Sequence, residues 1–264
     1  TRWVYADLQR ADAAAAGAAL DYLALTCAGA APLPADVAAQ LGRTLVRLLV
    51  DIAVDTEALT GADGAFPPLC RSAVLALCAV FHQIALTEKA PKAEQEDEGD
   101  KDEKEEEEGN PEEEGSGELW VMHRALSVVV LHPRTADGTL GQVLARFALR
   151  CLGDLCAPMF CVYCRAVADV CGRAAVAYSV FYPQDLAVLV ALLGRTLEDL
   201  DHCSPDPRRA AVLAALARVF ADRVARTDMA AEAAHIRDTL AWLAAEYADP
   251  DVVAAANALL AVLA

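Results

Sequence analysis

Five cysteines crowd one stretch of the chain: Cys151, Cys156, Cys161, Cys164 and Cys171. Within it, "CVYC" has the two-residue gap of a metal knuckle. Structural zinc sites pair two such gaps or add histidines at short spacing, because the ion takes its ligands at tetrahedral corners. Here a single gap stands inside an apolar run that reads as helix. These cysteines are therefore expected to be small buried thiols in helix packing, with a zinc or redox centre as the alternative. The histidines, His82, His123, His132, His202 and His235, are isolated, with no partner four residues on and no serine beside them in a nucleophile-elbow pattern. Glu198 and Asp199 follow each other on a predicted helix and diverge in direction, which ill suits paired acid–base work. No G-x-x-x-x-G-K-[ST] or G-x-G-x-x-G loop occurs. Trp3, Trp120 and Trp242 are too dispersed to form a stacking platform. No enzyme is expected, and no cofactor or metal.

Charge narrows the partners. The net charge is −17, and residues 88–118 hold sixteen acidic residues and four lysines, a net of −12 that leaves −5 for the rest. Such a chain offers no field suited to nucleic acid phosphates and no basic face for anionic lipid. Residues 89–117 read as an acidic low-complexity insert that cannot bury apolar surface and stays solvated. Nine cysteines in apolar helical text suit reduced thiols in a cytoplasmic protein. No signal peptide opens the chain. It begins at Thr1 without Met, as expected of a piece of a longer protein. No uncharged apolar run is long enough to predict a membrane span.

The elements that must position any site are helices. Hydrophobic residues make up 56% of the chain but aromatic residues only 6%, the excess being mostly alanine and leucine, the best helix formers. Periodicity and punctuation predict helices at 5–27, from Pro34, from Pro67 and Pro68, at 119–131, 140–155 and 160–178, from Pro183, after Ser204 and Pro205, at 225–247, and after Asp249 or Asp251. Some ten helices joined by short loops describe an α-solenoid or a helical bundle. Divergent armadillo or HEAT-like helix pairs, with units of about 40 residues, fit best. The expected fold is a single all-α domain over residues 1–264, interrupted by the insert.

One helix stands out. In "FYPQDLAVLVALLGRTLEDL", residues 181–200, Leu186, Leu189, Val190, Leu193, Leu197 and Leu200 fall on one broad stripe. Val188 and Leu192 lie on the far side, near Arg195 and Asp199, so neighbours on two flanks are expected. Pro183 suits the first turn, and Asp185 sits where the helix dipole favours negative charge. Arg195 and Asp199, four apart, are spaced to pair on the surface, a contribution of about 0.2–0.5 kcal/mol.

This segment resembles the signature of the WISH/DIP/SPIN family, whose members activate the Arp2/3 complex. The matching positions are Phe181, Tyr182, Asp185, Leu186, Val188, Leu189, Arg195, Leu197, Asp199 and Leu200. In the helix that follows, "DPRRAAVLAALARVF", Arg209, Leu213 and Leu216 match as well. Gln184 replaces the usual Asn, Pro183 a Thr and Ala191 an acidic residue, while Val212 and Ala214 stand for a Tyr and an Arg. The match covers about forty residues. The resemblance implies an armadillo-like domain that binds the Arp2/3 complex and switches it on without a pre-existing filament, seeding linear actin filaments. It also implies a longer parent protein with an SH3 domain upstream, working in the cytoplasm at the cytoskeleton. The partner contacts expected on this basis are exposed polar positions: Gln184, Asp185, Arg195, Asp199, Arg208 and Arg209. An unrelated armadillo or HEAT-like adaptor, holding a peptide or helix in a groove, is the second reading.

Overall fold

The computed structural model describes residues 13–28, 47–53, 67–89, 138–172, 177–178, 180–200 and 205–264. Among them there is no strand. The helices are α1 (Ala13–Cys27), α2 (Pro68–Lys89), α3 (Thr139–Cys151), α4 (Ala157–Cys171), α5 (Pro183–Asp199), α6 (Pro207–Ala221), α7 (Arg223–Asp228), α8 (Ala230–Glu246) and α9 (Pro250–Leu263). A single 3-10 turn, Leu152–Asp154, follows α3, and residues 47–53 are also helical. The predicted helix at 119–131, the start at Pro34 and the insert beyond Lys89 lie outside the described residues.

Local chemistry sets the starts. Proline stands in the first two positions of α4, α5, α6 and α9, where its missing N–H would have had no helical acceptor. Asp206, Asp222 and Asp249 cap α6, α7 and α9, each carboxylate accepting a hydrogen bond from a first-turn N–H. The start predicted at Ser204 and Pro205 is thus displaced to Asp206 and Pro207, because the aspartate supplies the cap. The helix predicted at 225–247 is broken at Met229, whose backbone leaves the helical region while its side chain is buried. At the end of α9, Arg226 donates to the Val262 carbonyl at 3.0 Å and Arg237 to the Leu263 carbonyl, satisfying acceptors that the helix cannot.

The tertiary pattern is that of a helical repeat. From α2 onward, the short α7 aside, successive helices alternate between two layers. In the first layer α1 packs on α2, α2 on α4, α4 on α6 and α6 on α9. In the second, α3 packs on α5 and α5 on α8. Contacts of α2 with α3, α5 with α6 and α8 with α9 join the layers. Second-layer helices begin at residues 139, 183 and 230 and their first-layer followers at 157, 207 and 250, so a pair recurs every 43 to 50 residues. That is near the period of HEAT and armadillo units, about 40–47 residues. Each unit leaves an apolar face that only its neighbour covers, and the result is one continuous core from Leu20 to Leu263.

Two glycines permit the close fit of α3 to the chain entering α5. Gly138 opens α3 with φ +74°, and a Cβ there would enter the Tyr182 ring. A Cβ on Gly141 would strike the Val180 carbonyl oxygen. Across the layers, Tyr163 of α4 is fully buried, donates to the Leu144 carbonyl of α3 at 3.0 Å and packs on Phe147 with ring centroids 5.3 Å apart.

Candidate functional site

The helix singled out in the sequence occupies the middle of the second layer, with α3 and α8 as flanking neighbours and α6 in the layer below. All six residues of its predicted stripe are buried. The far side departs from expectation. Leu192 is half-buried and packs against the core, but Val188 is 44% exposed. Flanking helices reach the edges of α5 without covering its crest.

Gln184, Val188, Arg195 and Asp199 are exposed and share that crest at about 3.6 residues per turn. Among the described residues no ion pair joins Arg195 to Asp199. Glu198, one residue back, instead faces α8: its Oε1 accepts from Thr239 Oγ1 at 3.2 Å and lies 3.3 Å from His235 Nε2. Asp185 is half-buried. Its Oδ2 makes no hydrogen bond, and loss of water raises its carboxyl pKa while Arg146 of α3 opposes the rise.

The two arginines at the start of α6 differ from expectation and from each other. Arg208 is half-buried and forks onto its own cap, with Nε at 3.0 Å from both Asp206 oxygens and Nη2 at 2.6 Å from Oδ2. Its hydrogen bonds hold the Asp206 carboxyl below its ordinary range and raise the arginine's own pKa. Its guanidinium also stands 5.9 Å from the centre of the Phe160 ring. Arg209 is a correction. Expected as an exposed contact, it is 0% exposed. Its Nη1 donates to the Tyr247 hydroxyl and its Nη2 to the Leu200 carbonyl at 3.3 Å, and its charge lies 4.3 Å from the centre of the Tyr247 ring. It therefore ties the end of α5, the start of α6 and the end of α8 into one corner. Sequence reasoning missed Tyr247 because it lies 38 residues away from Arg209.

The cysteine stretch runs from Cys151, the last residue of α3, past Cys156, which caps the start of α4, to Cys161, Cys164 and Cys171 within α4. Cys151, Cys164 and Cys171 are buried, Cys161 is half-buried, and Cys156 alone of the five is exposed. Burial pushes the thiols of Cys78 and Cys171 up to about 12 and raises that of Cys164 further, so these sulfurs are protonated and unreactive at neutral pH. Among the described residues no three His, Cys, Asp or Glu side chains converge as a metal site. His82 is buried between α2 and α4, its Nε2 3.2 Å from Arg165 Nη1. His235 is exposed, and His123, His132 and His202 lie outside the described residues. Among the described residues no helix is long and apolar enough to cross a membrane.

No family model matches the chain, and no curated protein matches it. A crystal structure of an engineered protein aligns with a TM-score of 0.45 and 16% identity, over 97% of this chain and 93% of that one. That likeness is too low to carry an argument about fold or function.

Proposed function

We propose that this chain is a non-enzymatic docking protein whose partner is the Arp2/3 complex, which it activates to nucleate unbranched actin filaments. The observation that carries the docking reading is the crest of α5. Gln184, Val188, Arg195 and Asp199 stand on a helix whose opposite face is locked into the core, so the backbone that presents them has little freedom to lose on binding, and only the side chains must be ordered. The Arp2/3 complex as partner rests on the resemblance of residues 181–220. Many of its matching positions, including Phe181, Leu186, Leu189, Leu197, Arg209, Leu213 and Leu216, are buried, so of the matching positions Tyr182, Val188, Arg195 and Asp199 are the exposed ones left for contact. The mechanism is population shift. The chain binds the active arrangement of the complex more tightly than the inactive one and draws the equilibrium toward it. In this reading the protein works in the cytoplasm at the cytoskeleton.

Pyrene-actin assembly with purified Arp2/3 complex and no preformed filaments tests this. Acceleration giving unbranched products, weakened by Arg195→Glu, is expected. A wild-type trace no faster than the complex alone sinks the Arp2/3 assignment. The second reading, an unrelated helical-repeat adaptor, is favoured by an open groove of about 680 Å³ that, among the described residues, is lined from α1, α2 and the turn between α3 and α4.

A further inference from the structure

We draw no further inference here: the strongest candidate, the open groove lined from α1, α2 and the turn between α3 and α4, carries nothing because nothing in the structure shows what covers it.

Discussion

Arg195 and Arg209 sit 14 residues apart in sequence and do opposite things. Around Arg195 the crest of α5 is open: the side chain is exposed and no ion pair to Asp199 holds it. Around Arg209 the corner between α5, α6 and α8 is closed, with an aromatic ring against the cation and a hydroxyl and a carbonyl accepting from it. A guanidinium can be buried this way because it is planar and weakly hydrated, and its fork can satisfy several acceptors while stacking on a ring. The contrast teaches that motif matching alone confuses a structural arginine with a contact arginine. Both belong to the same resemblance, yet one is available to a partner and the other holds the fold.

The contrast can be broken most directly at the corner. Arg209→Ala should destabilise the fold by about 3–5 kcal/mol, since it leaves a cavity and strips the Tyr247 hydroxyl and Leu200 carbonyl of their donor. Urea unfolding measures this, and a loss under about 1 kcal/mol would mean the corner does not depend on the cage. A smaller effect is expected one residue earlier, at the Arg208–Asp206 fork. Asp206→Ala removes a cap and should cost about 1 kcal/mol. Because the Asp206 carboxyl has a lowered pKa in the fold, its stabilisation is fully present above the unfolded carboxyl's pKa of about 3.9 and is lost as pH falls through the lower folded value. The wild type and D206A should therefore converge in stability as the pH falls past that lowered folded value, checked by urea midpoints across the acid range. The smallest effect on stability belongs to the crest: Arg195→Glu should change it by no more than about 0.5 kcal/mol. A larger loss of stability in R195E would erase the distinction between crest and corner.

Much of the architecture was legible in advance. Prolines and aspartates at helix starts are local devices, so Pro183 and Asp249 mark their helices wherever the rest of the chain goes. The leucine stripe of α5 is set by helical period and is buried as its spacing predicts. Boundaries that depend on packing were less legible. The break at Met229 follows from where that side chain is buried, and the displaced start of α6 from which of several polar residues captures the free N–H groups. Of the expected contacts, Gln184, Arg195 and Asp199 come together on one exposed crest, Asp185 and Arg208 are half withdrawn, and Arg209 is removed from the surface.

What the sequence determined by itself is the class of fold and the segments that build it: alanine and leucine at helical spacing, punctuated by proline and aspartate, can bury their apolar faces only helix against helix. What the tertiary structure decided is which polar groups remain in reach of another molecule. That depends on the alternation of helices between two layers, which buries Arg209 beneath Tyr247, leaves Val188 and Arg195 uncovered, and opens a groove lined from α1, α2 and the α3–α4 turn. Burial is a property of neighbours brought together from distant parts of the chain, and no local spacing records it.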